Sequence, residues 1–371
     1  MKKEINSLIK LNTELEINSP YFLGCGILER LGDKLTEFSF DKLFVINDPR
    51  VFDLYGKNLF NQFKLNYCCD SIILSEGEIY KNMQTLDFLC EELIKKEVSK
   101  DSILIALGGG VIGNVVGLAA ALIYRGIRFI EVPTTMLAQT DSVLSNKQAV
   151  NGSRGKNLFG VYYAPIFIWG DVRLLLSEEP RYIKSGLVES VKNGLIFNIQ
   201  FLDYLEHKLD GKEARYSEED LMELVHRSIL SKIEIIKEDP TEKKRGIILE
   251  YGHTFGHAIE KLSHGGVTHG EGVAIGMTIA AELSQRLGFL KNGGVKKHYS
   301  FLADKMGFDL SIPRDIKIEQ ILDVIKSDNK RTGKGVKYVI LEEIGKVYNP
   351  DKDFMVKVED NLVIDTLRNF V

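Results

Sequence analysis

The sequence predicts a protein of two domains, an α/β domain followed by a mainly α-helical domain. At 371 residues the chain is long enough to bury two hydrophobic cores. Strand-like and helix-like segments alternate through its first half, whereas from about Arg181 the segments are helix-like. We expect the first domain to span residues 1–175 and the second to span residues 176–371, with the join near Pro180.

Short runs of β-branched and aliphatic residues, each bounded by turn residues, predict the strands of the first domain. A periodic segment between two of them, Met83–Lys96, predicts a helix because its apolar residues recur every three or four positions. Strands that alternate with helices form sheets covered on both faces, so we expect a mostly parallel sheet. The predicted strands are Lys42–Asn47, Ser71–Leu74, Ser102–Leu107 and Arg128–Pro133.

Longer segments with helical periodicity predict the second domain. They are Tyr182–Phe197, Glu219–Glu238 and Gly270–Gly288. A late apolar run, Val336–Glu343, is predicted to form a small hairpin with the segment Gly345–Asn349.

Composition excludes several classes of partner. A net charge of −4 gives no support for a nucleic-acid surface. The first ten residues, MKKEINSLIK, lack an export signal, and the longest apolar stretch, Val111–Tyr124, is too short to span a bilayer. The four cysteines have no CxxC spacing, which favours reduced thiols. We therefore expect a cytoplasmic protein with neither a nucleic-acid partner nor a membrane partner.

A glycine turn follows the predicted strand Ser102–Leu107 and leads into a helical segment. It reads GGGVIGN and contains Gly108, Gly110 and Gly113 in a GxGxxG pattern. Such a turn lets backbone N–H groups approach a pyrophosphate, although a tight turn also requires glycine for its own geometry. An acidic residue that contacts the ribose is expected about twenty residues after the glycine turn. Glu131 is close to that spacing but lies inside the next strand. Asp48, Glu78 and Lys81 are the alternative strand-end candidates.

The segment from Pro133 to Pro165 is rich in glycine and short polar residues, and we interpret it as a long loop. Long loops inside compact domains are unusual unless they bind a ligand. Lys147, Lys156 and Arg125 supply positive charge there, and charge-assisted hydrogen bonds from such residues hold phosphate groups. The alternative is that these are scattered surface side chains.

Four of the seven histidines fall between positions 253 and 269. His253 and His257 are spaced i, i+4 and project from one face of a helix. Imidazole and carboxylate groups are the ligands of Zn²⁺, and a catalytic zinc site uses three of them and leaves one position open. Glu189 is the natural third ligand beside His253 and His269. The alternative is a polar helix face with incidental histidines.

Seven ordered motifs together resemble the sugar phosphate cyclases, the family of 3-dehydroquinate synthase. They are GGGVIGN, YRGI, VPTTMLAQTDS, GKN, GLVESVK, YGHTFGHAIE and THGEG, within residues 40–335. The resemblance implies a dehydroquinate synthase-like fold, an N-terminal NAD-binding α/β domain and a C-terminal helical metal-binding domain, usually in a homodimer. It implies an enzyme that uses NAD catalytically, binds one divalent metal ion (Zn or Co) and eliminates phosphate from a sugar phosphate while closing a carbocycle.

The resemblance also assigns residues to roles, motif by motif. The metal ligands are Glu189, His253 and His269. The catalytic residues are Lys147, Glu250 and His257. The substrate-binding residues are Arg125, Lys147, Asn157, Lys192, Lys232 and His257. The NAD-binding residues are Asp48, Glu78, Lys81, Gly108, Gly109, Gly110, Asn114, Thr134, Thr135, Asp141, Ser142, Lys147 and Lys156.

Departures from the dehydroquinate synthase pattern indicate the substrate. Gly246 stands where those enzymes have the arginine that pairs with a substrate carboxylate, and Gln148 and Glu250 replace a threonine and an asparagine. The pattern instead resembles members that cyclise glucose 6-phosphate toward 2-deoxystreptamine aminoglycosides. Dehydroquinate synthase, another cyclase, a metal-dependent NAD polyol dehydrogenase and a non-catalytic accessory protein are the alternatives.

Overall fold

The computed structural model describes residues 9–13, 19–153, 155–209, 213–329, 336–350 and 352–371. The chain divides into two compact units. The first comprises residues 1–178 and 216–229, and the second comprises residues 179–215 and 230–371. Within the described ranges, no helix has both the length and the apolar character that a membrane span requires. The four cysteines are free thiols.

The first unit is built on a seven-stranded sheet of order β1-β2-β9-β6-β5-β3-β4. Neighbouring strands run parallel except for β1 and β2, which are antiparallel. The strands of this unit are β1 (Ile9–Thr13), β2 (Ser19–Gly24), β3 (Leu43–Asn47), β4 (Cys69–Ile73), β5 (Ile103–Gly108), β6 (Arg128–Pro133), β7 (Lys147–Gly152), β8 (Gly155–Tyr162) and β9 (Phe167–Asp171). The predicted parallel sheet and its four predicted strands are thus confirmed.

Both faces of this sheet are covered, as continuous apolar strands such as β3 and β5 require. Alternate residues of β3 face opposite layers: Phe44 and Ile46 contribute to one core, and Leu43 and Val45 contribute to the other. The helices and helical turns of the unit are α1 (Leu31–Leu35), α2 (Pro49–Val51), α3 (Lys57–Lys64), α4 (Met83–Lys95), α5 (Gly110–Leu122) and α6 (Met136–Thr140). A π-helical turn, Phe52–Gly56, joins α2 to α3.

The segment from Pro133 to Pro165 is not the long loop that composition predicts. It contains α6 and an antiparallel hairpin of β7 and β8, in which Lys147 pairs with Tyr162 and Val150 pairs with Phe159. The prediction was wrong because β7 has only two apolar residues, Ala149 and Val150, and most of β8 is exposed, so neither strand shows the alternating apolar pattern of a half-buried strand.

The second unit is mainly helical, as predicted. The helices that follow the first unit's strands are α7 (Pro180–Ile196), α8 (Ile199–Lys208), α9 (Glu218–Glu238), α10 (His253–Leu262), α11 (His269–Arg286), α12 (Asn292–Tyr299), α13 (Ile318–Asn329) and α14 (Asp360–Leu367). Residues 218–229 of α9 belong to the first unit and residues 230–238 belong to the second. The predicted late hairpin is present as β11 (Leu341–Glu343) paired with β12 (Lys346–Val347), and β10 (Lys337–Tyr338) pairs with β13 (Val356–Lys357). In the motif at 328–331, residues 330 and 331 lie outside the described residues.

Candidate functional sites

The carboxyl ends of three neighbouring strands gather many of the predicted NAD-binding residues at one edge of the sheet. β3 pairs with β4 on one side and with β5 on the other, so the direction of winding reverses between β3 and β5. Ligands of open α/β sheets bind at such a switch point. Asp48 follows β3, the turn Gly108–Gly110 joins β5 to α5, and Thr134 and Thr135 follow β6.

The glycine turn is shaped by close contacts. A Cβ atom on Gly108 would lie 2.7 Å from the side chain of Ile112, and one on Gly109 would lie 3.0 Å from Cγ2 of Thr135. Only glycine therefore fits without displacing neighbours at these positions, and the first turn of α5 keeps its amide groups accessible to an anion. A small pocket beside the turn is lined by residues that include Gly110, Asn114 and Ser142.

Two predicted residues at this edge cap helices. Oδ1 of Asp48 accepts a hydrogen bond of 2.9 Å from the amide of Val51, and Oγ1 of Thr135 accepts one of 3.2 Å from the amide of Ala138. Each bond satisfies an amide that the first turn of a helix leaves without a partner. These side chains therefore shape the edge of the sheet as well as being candidates for cofactor contacts.

A hydrogen-bond network brings together predicted residues that are far apart in sequence. The amide of Asn151 in β7 donates to the carbonyl of Lys81, and Nζ of Lys81 donates to Oδ1 of Asn157 at 2.7 Å. Oε1 of Glu78 accepts from Nδ2 of Asn151 at 2.8 Å and lies 3.6 Å from Nζ of Lys156. The hairpin thus joins Glu78, Lys81, Lys156 and Asn157 in one polar cluster.

Three further predicted residues of this unit lie after α6 or at the start of β7, and a fourth lies far from the glycine turn. Asp141 and Ser142 follow α6, and Lys147 begins β7. Arg125, by contrast, is exposed and lies just beyond the carboxyl end of α5, whereas the glycine turn lies at its amino end. A helix of 13 residues is ~20 Å long, so the unit does not bring Arg125 to the glycine turn.

In the second unit, small residues allow three helices to approach closely. A Cβ atom on Gly256 of α10 would lie 2.8 Å from the carbonyl oxygen of Gly272 in α11, and the reverse contact is equally short. A Cβ atom on Gly276 would lie 2.1 Å from the carbonyl oxygen of Gly252. Arg181 of α7 also pairs with Glu271 of α11 at 2.7 Å. These contacts bring the polar side chains of α7, α10 and α11 into one cluster.

Glu189, His253 and His269 meet in that cluster. Oε1 of Glu189 lies 3.5 Å from Nε2 of His253 and 3.5 Å from Nε2 of His269. Ligands held tetrahedrally at bond lengths of ~2.1 Å are roughly 3.4 Å apart, so the spacing suits one small divalent cation. Oε1 is buried and has no hydrogen-bond partner among the residues that the structure describes, which is the environment expected of a carboxylate oxygen that ligates a metal.

His257 lies beside this triad. Its ring centroid is 4.9 Å from that of His253 and 5.6 Å from that of His269. One ligand atom from each of the three histidines falls within 4.8 Å of the others, so geometry alone also admits a three-histidine set. We favour the set with Glu189, because its orphan oxygen is buried, whereas His257 is only partly buried.

Neighbouring groups orient the two histidine ligands. Nδ1 of His253 lies 3.2 Å from the carbonyl oxygen of Tyr251, and Nδ1 of His269 lies 3.3 Å from Oε2 of Glu260. Hydrogen bonds at Nδ1 leave Nε2 available for a metal, and the carboxylate partner raises ligand basicity. Sequence reasoning missed Glu260, although its i+7 spacing from His253 places it on the same helix face.

Burial and neighbouring charges shift the pKa values of the two histidines in this cluster. Burial lowers the pKa of His253 well below its ordinary value, and the ammonium group of Lys192 lowers it further. Burial also lowers the pKa of His269, but its interactions with the carboxylates of Glu189 and Glu260 raise it to about 9. A cation bound at Nε2 of His269 would compete with a proton for that nitrogen.

The predicted substrate and catalytic residues of this unit have distinct environments. Lys192, one turn after Glu189 in α7, is buried and forms an ion pair with Oε2 of Glu189. Lys232 is a buried residue of α9. Glu250 is exposed at the end of a 3₁₀ turn, Arg245–Glu250, that leads to His253 through Tyr251 and the left-handed Gly252.

Comparison with known proteins identifies the family. Residues 71–185 match the family described as 3-dehydroquinate synthase N-terminal, and residues 186–331 match 3-dehydroquinate synthase C-terminal. The 2-deoxy-scyllo-inosose synthase of Streptoalloteichus tenebrarius is 39% identical over 317 residues, which are 85% of this chain and 82% of that protein. The enzyme of the same name from Niallia circulans is 35% identical over 353 residues, 94% of this chain and 95% of that protein.

Solved structures agree with these sequence matches. A crystal structure of 2-deoxy-scyllo-inosose synthase complexed with carbaglucose-6-phosphate, NAD⁺ and Co²⁺ superimposes with a TM-score of 0.91 at 34% identity, covering 98% of this chain and 100% of that chain. The fold extends to 2-epi-5-epi-valiolone synthase from Streptomyces hygroscopicus, with a TM-score of 0.83 at 20% identity over 96% of this chain and 97% of that chain. The chain therefore belongs to the 3-dehydroquinate synthase family.

Proposed function

We propose that this protein catalyses the reaction of 2-deoxy-scyllo-inosose synthase, the NAD- and metal-dependent carbocyclisation of glucose 6-phosphate with elimination of phosphate. The reaction provides the carbocycle of 2-deoxystreptamine aminoglycosides. The observation that carries the proposal is the match, at 34% identity over 98% of the chain, to the enzyme complexed with carbaglucose-6-phosphate, NAD⁺ and Co²⁺. The reaction needs a dinucleotide site and a cation site. The strand ends of the first unit beside the glycine turn offer the first, and the cluster of Glu189, His253 and His269 in the second unit offers the other.

When bound, NAD would accept a hydride from C4 of the sugar and later return it, and the divalent cation would polarise the oxygen on that carbon. Asp48, Glu78, Lys81, the turn Gly108–Gly110 and Asp141 are proposed to hold NAD. Glu189, His253 and His269 are proposed to hold the cation, either Zn²⁺ or Co²⁺, because imidazole and carboxylate ligands suit both.

Proton transfer is assigned to Glu250. With a ketone at C4, the proton at C5 becomes acidic, and its removal allows phosphate to leave from C6. After reduction at C4 the ring opens, and the enolate carbon C6 attacks the aldehyde at C1. The exposed position of Glu250, on the turn that leads to His253, leaves its carboxylate accessible to a substrate.

Positive charge stabilises the departing phosphate dianion. The amide of Asn157 offers hydrogen-bond donors beside Lys81 and Lys156 in the hairpin cluster. Burial of Lys192 and Lys232 strengthens their interaction with any anion that reaches them. The residues assigned to substrate or phosphate are Arg125, Lys147, Asn157, Lys192, Lys232 and His257.

The surroundings of Gly246 favour glucose 6-phosphate over the carboxylate substrate of dehydroquinate synthase. A Cβ atom at this position would lie 3.0 Å from Oδ2 of Asp239 and 3.0 Å from Cγ of Glu242. The amide of Gly246 also donates to Oδ2 of Asp239 at 2.9 Å. An arginine at this position would be crowded and would face two acidic side chains. The glycine that stands there provides no cation for a substrate carboxylate.

We further propose that the enzyme is a cytoplasmic homodimer. β8 pairs with β7 alone among the described strands, and it exposes Phe159, Val161 and Tyr162 to 52%, 43% and 46%. An exposed apolar edge strand is a ready surface for association with a second copy. Sedimentation of the wild type and of Phe159→Ser tests this, since the variant should shift toward monomer.

The decisive experiment is incubation with glucose 6-phosphate, NAD⁺ and Co²⁺ or Zn²⁺, followed by identification of the products. We expect inorganic phosphate and 2-deoxy-scyllo-inosose in equal amounts. A parallel incubation with the heptulosonate phosphate substrate of dehydroquinate synthase should release no phosphate. Turnover of the heptulosonate phosphate alone would overturn the proposed substrate.

A further inference from the structure

Glu131 and Gln148 form a buried polar pair in the first unit that the proposed reaction does not use. Glu131 lies in β6 and Gln148 in β7, and each is only 2% exposed. Nε2 of Gln148 donates hydrogen bonds of 3.2 Å to Oε1 of Glu131 and 3.2 Å to the carbonyl oxygen of Tyr163. Both donor hydrogens of this amide are therefore satisfied.

The remaining oxygen of each side chain has no partner among the described residues. Oε2 of Glu131 and Oε1 of Gln148 are both buried without a hydrogen bond to any of them. An ionised carboxylate and an amide carbonyl are both acceptors, so they cannot satisfy each other. A proton on Oε2 would change this, because a neutral acid can donate to an amide oxygen while it accepts from the amide nitrogen. One proton thus resolves both unsatisfied groups.

The surroundings of Glu131 favour the neutral acid. Burial raises the pKa of Glu131 to about 7, although the hydrogen bond from Gln148 opposes the shift. α5, which packs over the pair, carries no charged residue, and neither does β5. The phenol of Tyr21 in β2 is a titratable group that interacts electrostatically with Glu131. Asp171 lies at the end of β9, where its carboxylate accepts a hydrogen bond from the amide of Gly26. Lys147, the residue before Gln148 in β7, points to the opposite face of that strand.

The pair lies directly under the helix that follows the glycine turn. A Cβ atom on Gly113 would lie 3.5 Å from Oε1 of Glu131, and one on Gly117 would lie 2.4 Å from Cδ of Gln148. Glu131 also lines the small pocket together with Gly110, Asn114 and Ser142. The two side chains therefore set the separation between α5, β6 and β7 beside the candidate pyrophosphate site.

We propose that Glu131 is a positioning residue, held as a neutral acid in a reciprocal hydrogen-bonded pair with Gln148, that fixes α5 and β7 for dinucleotide binding at the glycine turn. The role in binding rests on the proposed function, whereas the pair itself does not. A neutral side chain here also keeps negative charge away from the pyrophosphate, and ionisation would add repulsion in a region of low dielectric.

Three variants test the proposal. Glu131→Gln replaces the neutral acid by an amide that can donate to and accept from Gln148 at any pH. Glu131→Leu removes the pair and leaves the amide of Gln148 with its hydrogen bond to Tyr163 alone. Glu91→Gln, at an exposed position of α4, is the matched control. The measurements are the free energy of unfolding and the dissociation constant of NAD⁺, each as a function of pH.

The raised pKa of Glu131 determines how the stability of the protein changes with pH. Because the folded pKa of about 7 lies above the ordinary 4.5, the stabilisation by Glu131 is fully present below pH 4.5 and is lost as pH rises through 7. Relative to Glu131→Gln, the unfolding equilibrium constant of the wild type should increase by roughly two orders of magnitude across that window and then level off. Glu91→Gln should show no such window.

The NAD⁺ measurement tests the positioning role. At pH 6, Glu131→Gln should bind NAD⁺ as the wild type does and Glu131→Leu should bind it at least several-fold more weakly. Above pH 7 only the wild type should lose affinity. A pH-independent difference between wild type and Glu131→Gln in unfolding would overturn the neutral pair, and equal affinity of Glu131→Leu would overturn the positioning role. If no form binds NAD⁺, the proposed NAD site and the positioning role fail, and the unfolding data still decide the pair.

Discussion

The amide of Gly270 donates a hydrogen bond of 2.9 Å to the hydroxyl of Ser185, and the two backbones are in contact at this point. This contact joins the first turn of α11 to α7. It fixes His269, the residue before Gly270, relative to Glu189, one helical turn after Ser185. The separation of two candidate metal ligands is therefore set by a glycine that is not itself a ligand.

Gly270→Ala should separate those ligands. A Cβ atom would lie 2.1 Å from the carbonyl oxygen of Ser185, so the helices must move apart at a cost of about 1–3 kcal/mol in stability. We expect metal affinity to fall by at least ~10-fold, in line with mispositioned ligands. Gly293→Ala in α12, where a Cβ atom meets nothing of the described residues within 4 Å, is the control and should leave metal affinity unchanged. Equal metal affinity in both variants would refute this link.

His253→Ala should abolish stoichiometric metal binding and turnover, because it removes one of three ligands from the cluster. Metal content after dialysis, measured by atomic emission, reports the first effect. His264→Asn is the matched control, since His264 is exposed and has φ of 49°, a conformation that asparagine tolerates. Full metal content in His253→Ala would remove His253 from the ligand set.

Glu260→Gln should weaken metal binding without removing a ligand. The carboxylate of Glu260 lies 3.3 Å from Nδ1 of His269, and a neutral amide polarises the imidazole less. Loss of such a partner typically costs 10–100-fold in metal affinity or activity, so we expect a metal dissociation constant raised by about that factor. Competition with a chromophoric chelator gives the constant. An unchanged value would show that Glu260 does not tune His269.

NAD should be recycled and not consumed. A cyclase returns the hydride to the carbon that lost it, so phosphate release should continue over many turnovers without net growth of NADH absorbance. Simultaneous phosphate and absorbance assays make the comparison. Accumulation of NADH in proportion to substrate consumed would identify a polyol dehydrogenase instead.

Glu250→Gln should separate hydride transfer from elimination. Glutamine keeps the shape of the side chain but cannot accept a proton as a base. Phosphate release should fall by at least the ~10² typical of general acid–base catalysis, while metal and NAD⁺ binding are retained. Enzyme-bound NADH on addition of glucose 6-phosphate should still be visible. Near-normal phosphate release would remove the proton-transfer role from Glu250.

Local patterns in the sequence were sufficient for four strands of the sheet and for the helices α7, α9 and α11. The strands Arg128–Pro133 and Leu43–Asn47 and the helix Met83–Lys95 match their predicted positions to within one residue, because each is rich in apolar residues at the spacing of its structure and is bounded by turn residues. The motifs also identified the family, since their order along the chain is specific even where single motifs are weak.

Tertiary structure decided the features that depend on contacts between distant segments. The hairpin of β7 and β8 was not predicted because most of β8 is exposed, and its hydrogen bond to Lys81 depends on pairing across 70 residues of chain. Glu260, Gly270 and the Glu131–Gln148 pair have no local signature, because their roles arise from neighbours on other helices and strands. The sequence specifies which ligand types are present and the periodicity of each helix and strand. Only packing fixes the distances between the side chains that must act together.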